Sequence, residues 1–486
     1  MYFHTFSVQN GRWGIGKPCY KGYWKGNFGY LCQSFLHNSI YERLALRWKY
    51  SRCHIYSCRT SDHIAYNNLS DKKELSIVLL YVRHPKTLTM KVVAISYFMP
   101  YWENLRGISA LIYSLIKYRP KNVNLSLYSF NCNHLSSDQI SKVRKELNVP
   151  VTIIPEPKEH AEYKPGLFSK YLRWIFPDER NMLRIPNSFV EKIRGEEPDY
   201  IWLYPLYFYH VPEQMPEMKY VLTSCDSNAL LKKRSLKDAY YRNNWLKYIK
   251  AWHLYKLYLS IENKYPTHNC LIHFVGKEDS NFYNSHVKHG NGRYIAHPHY
   301  FSVAKNIVDF NAPKLRVLWS GKNDFYMFSE GRKMFTMLRN NAKTLSPKIK
   351  LTFLGMGWEN YCDKLRQDGY DTEVKTWVDN YAEEVANYDI QLVPLSLGTG
   401  TKGKVLDAMT SGLLVIGSRY ALENITYDSD KCICYRNAQD VAYVFEDIFN
   451  DREKYMSIAE NGKKYVLTYH NPKVCSASFF KMFKQL

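Results

Sequence analysis

The sequence predicts an α/β protein made of two Rossmann-like, doubly wound domains that face a central cleft. Short apolar runs of strand length alternate with helix-like patterns from Met90 onward, as in parallel sheets covered by helices on both faces. A second series of the same kind begins after Pro313. The chain has 486 residues, which is too long for one ordinary core and fits two domains with an appendage.

The first 89 residues differ from the rest of the chain. They contain 13 Lys and Arg against 4 Asp and Glu, and strand and helix patterns do not alternate regularly. We therefore expect residues 1–89 to be a poorly defined basic extension. A zinc site from Cys53, His54, Cys58 and His63 is the less favoured alternative, because this spacing lacks the paired cysteines of a zinc knuckle.

The N-terminal domain is predicted to span residues 90–305. Its first strand is "MKVVAISYFMP", which begins at Met90 and is followed by a helix-periodic run over residues 106–118. Further strands are predicted at residues 124–130, 151–154, 200–204, 220–224 and 270–275. Most of them are separated by helix-like segments, which favours a parallel sheet.

The C-terminal domain is predicted to span residues 306–470, and residues 471–486 form a tail or helix. Its strands are predicted in "LRVLWSG", "IKLTFLG", "TEVKTWV", "IQLVPL", "LLVIGS" and "KCICY". The boundary between the domains is placed within residues 300–313. Ligands of such folds bind at the carboxyl ends of the strands, so the cleft between the domains is the expected site.

Residues 228–265 form an unusual basic segment between the two strand series. The segment has nine Lys and Arg but only two acidic residues, and aromatic side chains such as Trp245 and Trp252 are interleaved at helical spacing. A basic helix with aromatic residues is typical of contact with an anionic membrane surface. A core helix with a solvated basic face is the alternative. No nucleic acid partner is expected, because no RNA-binding signature accompanies the segment.

Charge and cysteine usage indicate the compartment. The net charge of +22 favours anionic partners such as phosphorylated metabolites. Eleven cysteines are scattered without a repeated C-x-x-C spacing, and no secretory leader is evident, which favours a reducing environment. The apolar runs are far shorter than the roughly 20 residues that cross a bilayer. We predict a cytoplasmic protein, with a peripheral position on the inner face of the cell membrane as a further expectation.

The stretch "LGTGTKGKVLDAMTSG" raises the question of phosphate binding. Gly398, Gly403 and Lys404 fit the P-loop spacing G-x-x-x-x-G-K. A P-loop also needs Ser or Thr after the lysine to bind Mg²⁺, whereas this chain has Val405. A kinase or ATPase is therefore not favoured.

The stretch can still bind phosphate groups although it is not a P-loop. Gly398 and Gly400 allow backbone N–H groups to approach an anion closely. The helix that begins near Lys402 offers its positive end, and Lys402 and Lys404 add full charges. The stretch therefore predicts a diphosphate site, with a glycine turn and two exposed lysines as the alternative.

The residues around this stretch resemble the C-terminal domain of GT-B glycosyltransferases, in particular glycosyltransferase family 4, the group 1-like enzymes. The family pattern reads P-x-x-x-G-x-G-x-x-x-K-x-L-E-A-M-A-x-G-x-P-V-V, and this chain follows it with Pro394, Gly398, Gly400, Lys404, Leu406, Asp407, Ala408, Met409, Ser411, Gly412, Leu414, Val415 and Ile416. The likeness extends loosely from about Met90 to about Tyr469. It implies a hexosyltransferase-type enzyme of polysaccharide biosynthesis that uses a nucleotide-sugar.

The resemblance also implies the partners of the reaction. A sugar moves, with retention at the anomeric carbon, from a UDP- or GDP-sugar to a glycan or lipid-linked acceptor. The nucleotide-sugar is a substrate, and neither a cofactor nor a metal is expected.

The resemblance, together with the loop chemistry, assigns roles to individual residues. The expected catalytic residues are Asp226, Lys322 and Lys404. The expected donor-binding residues are Gly107, Trp377, Val378, Asp379, Gly398, Gly400, Thr401, Lys402 and Asp407. The lysines and the backbone N–H groups near Gly400 stabilise the leaving diphosphate, Asp407 binds the ribose, and residues 377–379 line the nucleobase pocket. Asp226 lies on the acceptor side, with a helix N-cap as its alternative role.

The chain lacks one acidic residue of the family pattern, and a second function is therefore an alternative. The paired glutamates of the family, E-x7-E, fall here on Thr399 and Asp407, so the first carboxylate is absent and the second is shorter. The alternative to an active transferase is a protein of the same fold that binds a nucleotide-sugar or glycan without turnover. A sugar-phosphate synthase or an epimerase on the same fold is a third option.

Overall fold

The computed structural model describes residues 89–104, 107–155, 183–300, 308 and 310–486. Within these residues the chain forms two parallel β-sheets, each associated with its own set of helices. The basic extension predicted over residues 1–89 and the alternative zinc site at Cys53–His63 lie outside the described residues, apart from residue 89.

The N-terminal sheet has seven parallel strands in the order β3-β2-β1-β4-β5-β6-β7. The strands are β1 (Met90–Ser96), β2 (Val123–Ser129), β3 (Val151–Ile153), β4 (Tyr200–Tyr204), β5 (Tyr220–Cys225), β6 (Cys270–Phe274) and β7 (Gly292–Tyr294). The helices are α1 (Gly107–Lys117), α2 (Ser137–Leu147), α3 (Asn187–Gly195), α4 (Asn228–Tyr241), α5 (Trp245–Glu262) and α6 (Lys277–His286). Strand order reverses between β1 and β4, which is the point where such folds open a crevice for ligands.

The first strand shows why its sequence is continuously apolar. Val92 and Ala94 belong to the core on one face of the sheet, and Val93 and Ile95 belong to the core on the other face. Successive side chains of a strand point to opposite faces, so a central strand that is covered on both sides needs apolar residues throughout.

The C-terminal sheet repeats this plan with six parallel strands in the order β10-β9-β8-β11-β12-β13. The strands are β8 (Leu315–Ser320), β9 (Ile349–Leu354), β10 (Asp371–Lys375), β11 (Ile390–Val393), β12 (Leu414–Gly417) and β13 (Ile433–Cys434). The helices are α7 (Phe328–Asn340), α8 (Ala342–Leu345), α9 (Glu359–Gln367), α10 (Tyr381–Val385), α11 (Gly403–Thr410), α12 (Arg419–Leu422), α13 (Ala438–Asn450) and α14 (Arg452–Tyr469). Here the strand order reverses between β8 and β11.

The last helix returns to the N-terminal sheet. In α15 (Pro472–Met482) the ring of Phe479 packs against Trp202 of β4 with centroids 4.6 Å apart. The Ser476 hydroxyl donates to the carbonyl of Leu115 at 2.8 Å. Phe479 and Phe480 are buried in the core of the N-terminal sheet. The C-terminal helix is therefore part of that core.

The basic segment forms two helices, α4 and α5, which we call the helical hairpin (residues 228–262). The helices are separated by a short turn in which Asn243 adopts a left-handed conformation with φ of 51°. Of the 18 residues of α5, Ala251 and Glu262 are buried, while Trp245 and Trp252 are 64% and 49% exposed. In the described part of the chain, none of the helices combines the length and apolarity of a membrane span.

Candidate active site

The loop after β11, which we call the glycine loop (residues 394–402), lies at the switch point of the C-terminal sheet. It leads directly into α11, whose N-cap position is occupied by Lys402. Among the described residues, no side chain caps the first turn of this helix, so none of them neutralises its N–H groups and the positive end of its dipole in that way. Val405, which follows the lysine of the P-loop-like spacing, is fully buried in the core.

Lys404 lies in the first turn of α11 and reaches across the switch point to β8. Its amine donates to the carbonyl of Ser320 at 3.0 Å. A Cβ atom on Gly321 would lie 2.5 Å from the same amine, and the φ of 113° at this residue favours glycine. Burial lowers the pKa of Lys404 to about 8, while the carboxylate of Asp324 opposes this shift. Lys404 is partly buried and forms no ion pair with a carboxylate among the described residues, so its charge favours an anionic ligand.

The turn after β8 carries Lys322, which is exposed. The turn itself is firmly held, because the indole N–H of Trp358 donates to the Gly321 carbonyl at 2.7 Å. In addition, the amide of Asn323 donates to the carbonyl of Gly357 at 2.8 Å. Lys322 therefore extends from a fixed turn into solvent at the carboxyl edge of the sheet.

Asp407 lies one turn further along α11. It is buried, and its Oδ1 finds no hydrogen-bond partner among the described residues. Burial raises the pKa of Asp407 to about 8. Burial raises the pKa of Tyr381, the nearby Asp407 adds to this rise, and a hydrogen bond to Ser320 opposes it. A buried carboxyl group with an unused oxygen is a ready partner for a ligand hydroxyl.

The predicted nucleobase residues follow β10. The indole of Trp377 is 81% exposed, and Asp379 is exposed as well, while Val378 packs against the C-terminal core. Asn380 caps the short helix α10, which begins with Tyr381, the neighbour of Asp407. The nucleobase loop and the predicted ribose-binding carboxylate are thus connected through α10.

The rest of the glycine loop is bonded within the protein. The N–H of Gly400 donates to Oδ2 of Asp279 at 2.9 Å, and the hydroxyl of Thr401 donates to the Val275 carbonyl at 2.6 Å. The amine of Lys402 donates to the carbonyls of Thr399 and Gly400. In this conformation these groups, which were expected to face the diphosphate, bond to the N-terminal domain or within the loop.

Asp226 comes from the N-terminal domain and lies against the glycine loop. Its Oδ1 is 1.8 Å from the position that a Cβ atom on Gly400 would occupy, so the close approach depends on glycine. Burial raises the pKa of Asp226, and the charges of Lys402 and Arg234 oppose the shift. The alternative role as a helix N-cap is wrong, because Ser227 caps α4 by accepting the N–H of Leu230.

Two of the remaining predicted positions are less informative. Gly107 is the first residue of α1, which follows β1 in the chain. Gly398 offers its carbonyl to the guanidinium of Arg234.

Thr399, where the family pattern has glutamate, is buried at 9% exposure, so this position supplies no carboxylate to the site. Among the described residues, no group of three or more His, Cys, Asp or Glu side chains is arranged to hold a metal ion.

Several contact residues were missed by the sequence reasoning. Arg234 forms a two-armed ion pair with Glu423, with N–O distances of 2.6 and 2.7 Å. Asn424 donates to the Gly400 carbonyl at 3.1 Å and accepts the N–H of Lys277 at 2.8 Å. Arg234 lies in the basic segment, where its charge suggested a surface residue. No local pattern marks these positions, because their partners are distant in the chain.

Part of the C-terminal domain resembles a known protein family, and the fold resembles several solved structures. Residues 326–451 match the family model described as "Glycosyl transferases group 1". No curated protein matches the sequence significantly. Similar solved structures include HepE of Anabaena in complex with UDP and glucose, with 10% identity, a TM-score of 0.51 and coverage of 82% of this chain and 100% of that chain.

Two further solved structures have the same overall fold. Sucrose-phosphate synthase of Thermosynechococcus elongatus has 13% identity and a TM-score of 0.55, with coverage of 82% of this chain and 98% of that chain. The N-terminal domain of trehalose-6-phosphate phosphatase of Candida albicans has 12% identity and a TM-score of 0.50, with coverage of 82% and 97%. Identities this low establish the fold alone.

The two sheets, the switch-point site and the structural matches define a protein of the GT-B fold. The family match adds a group 1 glycosyltransferase domain over the residues that contain the glycine loop, Lys404 and Asp407. The chain thus combines the GT-B fold with a region, residues 326–451, that is similar to group 1 glycosyltransferases.

Proposed function

We propose that this chain transfers a hexose from a UDP- or GDP-sugar to a glycan or lipid-linked acceptor in polysaccharide biosynthesis, with retention at the anomeric carbon. The observation that supports this best is the arrangement at the start of α11. A helix N-terminus without a side-chain cap among the described residues, the partly buried amine of Lys404 and the carboxyl oxygen of Asp407 that has no described partner lie within two turns of one helix. These groups match a diphosphate followed by a ribose.

The proposed chemistry follows from the charges of the site. The bond between the anomeric carbon and the β-phosphate oxygen breaks, and its electron pair stays on that oxygen. Lys404 and Lys322 stabilise the charge that develops there. The acceptor hydroxyl forms the new bond to the anomeric carbon, and Asp226 accepts its proton, since burial has raised the pKa of this carboxylate. The reaction needs no resident cofactor or metal in this proposal.

We place the reaction in the cytoplasm, at the inner face of an anionic membrane. The helical hairpin supports this proposal, because six large apolar side chains are exposed within 13 residues: Tyr240, Tyr241, Trp245, Leu246, Ile249 and Trp252. Trp245, Ile249 and Trp252 follow helical spacing and form one stripe along α5. Exposed Lys247 and Lys256 flank this stripe. Aromatic residues beside lysines suit the interface of an anionic bilayer.

A second candidate function rests on Thr399. The position lacks the family's first glutamate, and its backbone carbonyl is bonded to Lys402. A protein of this fold that binds a nucleotide-sugar without turnover is consistent with that loss.

Product analysis separates the two functions. The purified protein is incubated with UDP- and GDP-hexoses, with and without glycan or lipid-linked acceptors, and nucleoside diphosphate release is measured. The proposed function predicts acceptor-dependent release and a product whose anomeric configuration, read by NMR, equals that of the donor. Binding without release in every pairing favours the second candidate, and a free sugar phosphate or altered nucleotide-sugar indicates a synthase or epimerase.

A further inference from the structure

The glycine loop is held by the N-terminal domain as well as by its own. Arg234, on α4, donates to the Gly398 carbonyl and forms its two-armed pair with Glu423. Asp279, on α6, accepts the N–H of Gly400 at 2.9 Å. Both side chains therefore come from one domain and fix the phosphate-facing loop of the other.

The carboxylate of Asp279 is fixed by burial and by hydrogen bonds. It is fully buried, and each of its oxygens accepts one backbone N–H, from Ser227 at 2.8 Å and from Gly400. A Cβ atom on Gly276 would lie 2.0 Å from Oδ2 of Asp279. Glycine at position 276 thus leaves room for this carboxylate beside the loop.

The contact of Arg234 is equally specific. The side chains of Arg234 and Glu423 are 12% and 9% exposed, so the pair is largely shielded from solvent. Removing one partner of such a pair leaves an uncompensated charge. The planar guanidinium satisfies Glu423 with two N–H groups and also reaches the Gly398 carbonyl, which the single amine of a lysine does not reproduce.

We propose that Arg234 and Asp279 are positioning residues for nucleoside diphosphate binding. They hold the backbone of the glycine loop so that the start of α11 and Lys404 face the phosphates. The inference rests on the proposed function, because it assumes that this loop receives a nucleoside diphosphate. Loops with two glycines sample many backbone conformations when free, and ordering the loop before the ligand arrives removes that cost from binding.

A purely structural role makes a different prediction. If the two residues only fasten the domains together, their replacement lowers the melting temperature and leaves the affinity of the folded protein for a nucleoside diphosphate unchanged. If they position the loop, the affinity falls in protein that is still folded. The two roles therefore separate when affinity and melting temperature are measured on the same variants.

The test uses UDP and GDP as probes, titrated calorimetrically into the full-length protein. In Asp279→Asn the side chain keeps its size but accepts only one of the two N–H groups. Arg234→Lys keeps the charge but loses the fork. We expect each variant to raise the Kd of the nucleotide that the wild type binds by about tenfold, the usual effect of losing one charge-assisted hydrogen bond.

Arg339→Lys is the matched control. Arg339 also forms a two-armed pair, with Asp368 at 2.6 and 3.2 Å, but this pair is exposed and lies within the C-terminal domain. Its replacement is expected to leave the Kd unchanged. If Asp279→Asn does not fold, Asn424→Asp takes its place, since it removes the amide that donates to the Gly400 carbonyl and tolerates the left-handed backbone at φ of 66°.

The outcomes are distinct. An unchanged Kd in the folded variants, with or without a lower melting temperature, overturns the positioning role. A wild-type protein that binds neither UDP nor GDP overturns the proposed function, and the positioning role with it. A raised Kd in the Arg234, Asp279 or Asn424 variants, together with an unchanged Kd in the control, supports the inference.

Discussion

Replacing Asp407 with Asn removes the buried carboxyl group of α11 while keeping its shape. In the folded protein burial raises the pKa of Asp407 from 3.8 to about 8. A carboxyl group with a raised folded-state pKa contributes its full stability below the unfolded pKa, and this contribution is lost as pH rises from 3.8 toward 8. Asparagine does not titrate, so the variant escapes this loss. We expect the unfolding free energy of the variant, measured relative to that of the wild type, to rise by about 4 kcal/mol from pH 5 to pH 8.

The assay is urea unfolding of both proteins at pH 5, 6, 7 and 8, followed by circular dichroism. The difference between the two unfolding free energies cancels the titration of all other groups. Asp371→Asn is the control, because this carboxylate is exposed at the start of β10, at 3.9 Å from Lys350. A difference for Asp407→Asn that stays constant across this range, or that shrinks as pH rises, would refute the reasoning.

Three further predictions concern the donor site, the hairpin and the core. Lys404→Met should weaken binding of UDP or GDP by about 10- to 100-fold in calorimetry, because the charged amine at the start of α11 is lost. Lys350→Met, which removes the charge of an ion pair with Asp371 instead, should not. Combining Trp245→Ala with Trp252→Ala, or Lys247→Glu with Lys256→Glu, should reduce cosedimentation with phosphatidylglycerol vesicles by about tenfold or more. The control is Tyr443→Ala, which replaces an aromatic residue that is 63% exposed. Equal sedimentation of all variants would contradict a membrane contact. Phe479→Ala should lower the free energy of unfolding by about 3–5 kcal/mol, and a smaller loss would show that α15 is not part of the core.

Local patterns in the sequence predict the strands and the position of the glycine loop. Central parallel strands are buried on both faces, so runs such as Met90–Ser96 read as continuous apolar segments. Gly400, Lys404 and Asp407 lie close together along one loop and helix, so their spacing in sequence already implies their proximity. The GT-B fold was predictable for these reasons.

The contacts that hold the loop were not predictable in this way. Gly400 and Asp279 are 121 positions apart, and Arg234 and Glu423 are 189 positions apart. No periodicity within one element relates such residues, and they meet because two separate sheets place their carboxyl ends together. The segment around Arg234 also looked uniformly basic, although the pairing of Arg234 with Glu423 removes it from the exposed basic surface.

The most direct test of the donor site is a calorimetric comparison of nucleoside diphosphates with the corresponding nucleosides. UDP, uridine, GDP and guanosine are titrated into the wild-type protein at pH 7. We expect one diphosphate to bind at least about tenfold more tightly than its nucleoside, because the start of α11 and Lys404 recognise the phosphates. Equal affinities within both pairs, or no binding of either diphosphate, would contradict it.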